Sequence, residues 1–178
     1  VLQWREQRPD IIYIFSKDIL RHRRAQKEDA VWLKKGEEYK DETLSVRAFG
    51  STDVGVSFLL QAGGKKIFHA GDLNNWHWMD ESTEEEWKGA EKNFLHELDD
   101  LYAYTPEVDV AMFPVDPRLG KEYMRGAGQF VTKIKTHIFV PMHFTPEYAK
   151  ANAFRDFAEA HGVRFVSLTH RGQKIEIE

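Results

Sequence analysis

The chain has 178 residues, a formal net charge of -4 and no cysteine. That composition excludes disulfides and thiolate metal ligands, gives no electrostatic case for nucleic acid, and contains no apolar run long enough to span a bilayer. Hydrophobic residues at 42% and aromatics at 13% suffice for one packed domain over 1–178, and a reducing cytoplasm is the setting that suits it.

The chain opens at Val1, without Met, inside a helical stretch (2–8) that has no capping residue before it. Missing upstream residues are therefore expected. Pro9-Asp10 is a breaker, and 11–15 reads as a buried strand of the main sheet. Residues 16–29 are charged, with Arg21, His22, Arg23 and Arg24 together, as in a solvated loop. Val31–Leu33 is a short strand and 34–38 a turn. Leu44–Phe49 alternates apolar and polar residues as a half-buried strand does. A second strand at 54–61 turns at Ala62-Gly63-Gly64 and pairs with 66–69.

Residues 81–102 form the clearest helix. Ser82 and Glu85 read as a capping box. Trp87, Ala90, Phe94, Leu95, Leu98 and Leu101 share one face. Residues 108–115 read as a buried strand, 116–120 as a loop, 127–134 as a helix, and 137–140 as a strand delivering Pro141-Met142-His143. A helix at 147–161 closes on Gly162. Residues 163–168 and 174–177 are the final strands. Strands separated by helices, with hairpins in the middle, predict a layered α/β domain.

The stretch Phe68-His69-Ala70-Gly71-Asp72-Leu73-Asn74-Asn75-Trp76-His77-Trp78 stands out. It runs as a strand, breaks at Gly71, and presents Asp72 and then His77 at a strand end, where functional groups concentrate. By residues alone, Asp72 is either a ligand or the cap of the next turn. His143 is either a ligand or a structural His. In the loop after the strand at 108–115, Arg118 either binds a carboxylate or phosphate or forms a local salt bridge with Asp116. Trp76 and Trp78 are either a substrate wall or core. Without cysteine, any metal must be held by His and carboxylate, which suits Zn, Mn or Fe.

His69-Ala70-Gly71-Asp72 resembles the Gly-Asp motif of the metallo-β-lactamase-fold hydrolases, in which the Asp bridges two metal ions. Phe49-Gly50-Ser51-Thr52-Asp53-Val54-Gly55-Val56-Ser57-Phe58, Phe113-Pro114-Val115-Asp116-Pro117-Arg118 and Pro141-Met142-His143-Phe144 resemble one bacterial branch of that superfamily, related to ascorbate-6-phosphate lactonase. The resemblance covers nearly the whole chain. It implies the later part of an αβ/βα sandwich, N-terminally incomplete, because the superfamily's H-x-H-x-D-H motif is absent. That motif is expected upstream of Val1; the alternative is that 16–22 is its decayed form.

The implied activity is metal-dependent hydrolysis of an ester, lactone or phosphoester of a small molecule, by a metal-bound hydroxide. The implied cofactor is a divalent metal, Zn with Mn or Fe as alternatives, in a site this chain completes only in part. Asp72 and His143 would carry metal and catalysis. His77 and Asp53 are further ligand candidates, since Gly50-Ser51-Thr52-Asp53 lacks the histidine many relatives place there. Asp116, Arg118, Trp76 and Trp78 would line the substrate pocket. An uncovered sheet would invite a second copy or a separate N-terminal fragment. The rivals are a metal-free binding relic and a calcineurin-like metallophosphoesterase, which would need Asp-x-His and Gly-Asn-His segments that are not present.

Overall fold

The middle of the chain folds as its alternation dictates. In a computed structural model, which describes residues 2–21 and 26–176, strands β4 (Leu44–Phe49), β5 (Ser57–Ala62) and β6 (Lys65–His69) form an antiparallel meander. A short strand β3 (Glu38–Lys40), which the turn-like sequence at 34–38 conceals, adds to its outer edge. Beyond β6 the pairing becomes parallel. Strands β7 (Glu107–Pro114), β8 (Lys135–Met142) and β9 (Arg164–Phe165) complete a seven-stranded sheet in sequence order.

Parallel neighbours need crossover connections, and helices supply them. Helix α2 (Glu84–Tyr104) joins β6 to β7, α3 (Arg125–Lys133) joins β7 to β8, and α4 (Tyr148–Asn152) with α5 (Arg155–Ala160) joins β8 to β9. The side-chain period of two divides the burial. Phe113 and Phe139 face a core shared with Phe94, Leu98, Phe130 and Phe154 from the helices. Val110, Ile138 and Val140 face the other way, with Val166. Helices thus cover one face.

Several boundaries differ from the sequence reading, for identifiable reasons. The capping box of α2 is Thr83 with Glu86: Thr83 N–H donates to Glu86 Oε2 at 2.8 Å, while Ser82 N–H is already bound to the Trp78 carbonyl. On α2, Phe94, Leu98 and Leu101 are buried, whereas Leu95 is 36% exposed. The expected helix at 147–161 is broken, and at the break Asn152 exchanges two hydrogen bonds with the Leu168 backbone. Residues 174–176 form no strand, and Ile177 lies outside the described residues.

The largest correction is near the start. Residues 2–7 are helical, as expected (α1, Leu2–Gln7). The following strand, however, is only Ile14–Ser16 (β1), and it is not in the main sheet. It pairs in parallel with β2 (Val31–Leu33) in a separate two-stranded sheet. Ile12 finds no such partner and is 56% exposed. Lys17–Arg21 is a 3-10 turn, and His22, needed for the decayed-motif alternative, lies outside the described residues.

Candidate metal centre

Three adjacent parallel strands end at one edge of the sheet, and each hands over one polar residue. Strand β6 leads through Ala70-Gly71 to Asp72, β7 through Val115 to Asp116, and β8 directly to His143. Backbone hydrogen bonds carry the register past the strand ends: Ala70 N–H donates to Met112 O at 2.9 Å and Val115 N–H to Met142 O at 3.0 Å. The crevice outside such carboxyl ends is where open α/β sheets place ligands.

The turn before Asp72 requires glycine. Gly71 has a φ of 58°, and a Cβ there would lie 2.8 Å from the Val56 carbonyl oxygen. Asp72 and His143, distant in sequence, then meet, with Asp72 Oδ1 3.4 Å from His143 Nε2. His143 adopts a φ of 66° and Trp78 a φ of 43°. Non-glycine residues in this region carry strain of about 1–3 kcal/mol and cluster at functional sites.

Asp116 sits behind His143. It is 1% exposed, and its Oδ2 accepts from His143 Nδ1 at 2.8 Å. Arg118 grips the same carboxylate through its backbone N–H (3.0 Å), its Nε (3.0 Å to each oxygen) and its Nη2 (2.5 Å). Burial alone would raise the Asp116 carboxyl, but the Arg118 hydrogen bonds, followed by that from His143, outweigh it and hold the carboxyl below its ordinary value. Asp116 had been expected to touch substrate. The structure corrects this: the carboxylate is buried, and its oxygens are committed to Arg118 and His143.

A folded-state pKa below the unfolded one adds stability that is complete above the ordinary carboxylate range, near pH 4, and is lost as pH falls through the folded value. Asp116→Asn should therefore flatten the acid limb of a stability profile. Thermal melts between pH 3 and 8 would test this.

The tryptophans close the other side. Trp76 Nε1–H donates to the Asp72 carbonyl at 2.8 Å, and the indole lies 5.2 Å from the His143 ring, tilted at 59°. Trp78 stacks on Trp76 at 6.3 Å. Both are half-buried.

Two expected ligands do not join this group. His77 is 1% exposed; its Nε2 pairs with the Glu122 carbonyl (3.2 Å) and its Nδ1 accepts from Met79 N–H (3.1 Å). With both ring nitrogens committed, no lone pair remains for a metal. Asp53 has its backbone N–H on Ser51 Oγ and lines a separate cavity of 780 Å³ with Ser16, Lys17, Arg21, Lys35 and Glu97. Among the described residues, no group of three or more His, Asp and Glu could hold a metal ion.

A clamp behind the Asp72 loop escaped the sequence reading. The Asn74 backbone exchanges hydrogen bonds with Thr52 Oγ1. Asn75 is fully buried, and its amide donates to Gln129 (2.9 Å) and Glu91 (3.3 Å); Glu91 also accepts from Arg125 at 2.7 Å. The loop is thus bolted to α2 and α3. Gly126 permits this close approach, since a Cβ there would lie 2.0 Å from Asn74 Oδ1 and 2.9 Å from Asn75 N. Gly126→Ala should cost about 1–3 kcal/mol, the range for overpacking, readable as a lowered midpoint in urea. The tandem Asn-Asn after Gly-Asp was the only visible sign.

Solved structures share this architecture. A protein described as a metal-dependent hydrolase from Parabacteroides distasonis aligns with a TM-score of 0.60 at 15% identity, over 88% of this chain and 64% of its own. The metallo-hydrolase Igni18 from Ignicoccus hospitalis gives 0.57 at 16% identity, over 94% and 69%. The chain has the metallo-β-lactamase fold. A diiron β-hydroxylase, CmlA from Streptomyces venezuelae, aligns with a TM-score of 0.51 at 13% identity, over 79% of this chain and 33% of its own. At these identities the likeness is one of fold. No protein-family model and no curated protein matches the sequence. This metallo-β-lactamase-fold chain spans 64% of the Parabacteroides protein.

Proposed function

We propose that Asp72 and His143 hold a divalent metal ion, Zn with Mn or Fe as alternatives, in a hydrolase that cleaves an ester, lactone or phosphoester of a small molecule. The observation that carries this reading is the 3.4 Å between Asp72 Oδ1 and His143 Nε2. Two donors roughly 2.0–2.1 Å from one tetrahedral ion are about 3.4 Å apart. A hydrogen bond between them would be shorter, about 2.7–3.2 Å. Asp116 supports the same assignment. By accepting a hydrogen bond from Nδ1–H it fixes the tautomer in which Nε2 offers its lone pair, the usual arrangement behind a metal-bound His.

When bound, the ion would supply Lewis acidity and a water that ionises near neutral pH. The chain's own residues do the rest. Asp116 orients His143 through the hydrogen bond from Nδ1. Trp76 and Trp78 give a substrate an apolar wall and exclude water beside the ion. Asp72 adds negative charge that favours a cation over a competing anion.

A catalytic zinc site uses three protein ligands, so this reading places the remainder in polypeptide outside the 178 residues. The small β1–β2 sheet, with Trp4 61% and Ile12 56% exposed nearby, is where such a segment or a second copy would dock. Among the described residues no helix is long and apolar enough to cross a membrane, and a cysteine-free chain suits the cytoplasm.

The test is elemental analysis with an esterase and phosphodiesterase panel, on the chain as it stands and on the chain extended by the coding sequence preceding Val1. The chain alone should carry little metal, and the extended one should gain metal and activity. If the extended protein is also metal-free and inert, the hydrolase reading fails and a binding relic of the fold replaces it.

A further inference from the structure

We infer that Arg118 is an anion anchor, and that the substrate carries an oxyanion, a carboxylate or a phosphate, beside the bond that is cut. The inference rests on the reading of Asp72 and His143 as the metal-holding pole. Arg118 meets Asp116 side-on, through Nε and one hydrogen of Nη2. A guanidinium presents five N–H donors in a planar fork. The side-on contact leaves both hydrogens of Nη1 and the second hydrogen of Nη2, and one hydrogen from each of the two nitrogens forms the end-on edge that grips an oxyanion with two parallel bonds. Among the described residues Nη1 has no hydrogen-bond partner. The Arg118 side chain is 64% exposed, while the carboxylate that tethers it is 2% exposed.

The tether makes the difference from an ordinary surface arginine. A free Arg side chain loses rotamer freedom on binding. Arg118 has already lost it to a buried partner that cannot move away. Its Nη2 also lies 3.4 Å from His143 Nδ1, on the opposite side of the imidazole from the Asp72 contact. Cation, metal-facing nitrogen and the Trp76 ring therefore crowd around one histidine. A ligand with an oxyanion and an adjacent flat or apolar group matches that grouping. A neutral ester leaves the open edge of Arg118 to water.

The probes are benzoate and phenylphosphonate, with benzyl alcohol as the neutral control, titrated calorimetrically into the chain. Both anions should bind, and Arg118→Gln should weaken them at least about tenfold, the scale of charged hydrogen bonds. Arg118→Lys should recover part of that loss, because a point charge replaces the fork. Benzyl alcohol should not distinguish the three proteins. In unmodified protein, benzoate should shift the NMR signals of Arg118 Nε–H and Trp76 Nε1–H, a readout that needs no variant to fold. Equal anion affinity in Arg118→Gln, or no shift of those two signals, overturns the inference. Asp72→Asn in the extended chain separates it from the function reading: that variant should lose metal and keep benzoate. An extended chain that never takes metal yet binds benzoate through Arg118 would sink the hydrolase and spare the anchor.

Discussion

Asp72→Ala is expected to strip metal from the loaded protein and abolish hydrolysis, with the melting temperature of the metal-free fold moved by no more than a few degrees. The separation of these effects follows from how the loop is held. The Asp72 side chain is 38% exposed, and its contact is with His143. The loop itself is fixed by other groups: Trp76 bonds the Asp72 backbone carbonyl, Asn75 reaches Glu91 and Gln129, and His77 holds the backbone at Met79 and Glu122. Removing a half-exposed carboxylate leaves all of these in place, and substitutions of that kind usually stay within about 0.5 kcal/mol. The metal, by contrast, loses one of its two ligands in this chain. Metal content, melting temperature and hydrolytic rate measured on one preparation would decide the matter. A variant that keeps its metal and its rate would return Asp72 to the role of a turn cap.

The sheet was legible because its strands obey local rules. Leu44–Phe49 largely alternates apolar and polar residue types, and the hairpin at Ala62-Gly63-Gly64 follows turn chemistry. The β1–β2 sheet was not legible, because Ile11 and Ile12 have the same strand composition as Ile14 and Phe15, yet the ladder with β2 begins only at Ile14. Composition cannot show which strand a segment will find. The site divides the same way. Gly71-Asp72 was visible as a strand end broken by an obligatory glycine, and His143 as a residue delivered by a strand. Asp116 was misjudged because an acid in a loop after a strand reads as exposed; its burial depends on Arg118 two residues on and His143 from the next strand. His77 drew suspicion from its place between two tryptophans, yet its nitrogens are spent on the backbone, which no spacing reveals. The left-handed φ of His143 and Trp78 leaves no trace in residue type at all.

Asp116→Ala should weaken metal binding by about 10–100-fold, the usual loss when the carboxylate behind a metal-ligating His is removed. Three effects converge on this residue. The imidazole loses the acceptor that holds its proton on Nδ1, so the other tautomer, which buries the Nε2 lone pair under a proton, becomes populated. The ring loses a restraint on a backbone already strained at a φ of 66°. Arg118 loses its tether and is free to swing. Asp116→Asn should fall between Ala and the parent, since its carbonyl oxygen can still accept from Nδ1 without the charge. A merely structural role would predict something else. Arg118→Ala also breaks the ion pair, but it leaves the Asp116–His143 bond intact, so it should keep metal affinity within a few-fold of the parent while Asp116→Ala does not. The tautomer can be read directly from the His143 ring nitrogens by NMR in the metal-free protein: proton on Nδ1 in the parent and in Arg118→Ala, a mixture in Asp116→Ala. Equal metal loss in Arg118→Ala and Asp116→Ala, with no change of tautomer, would mean that the pair supports the loop and not the histidine.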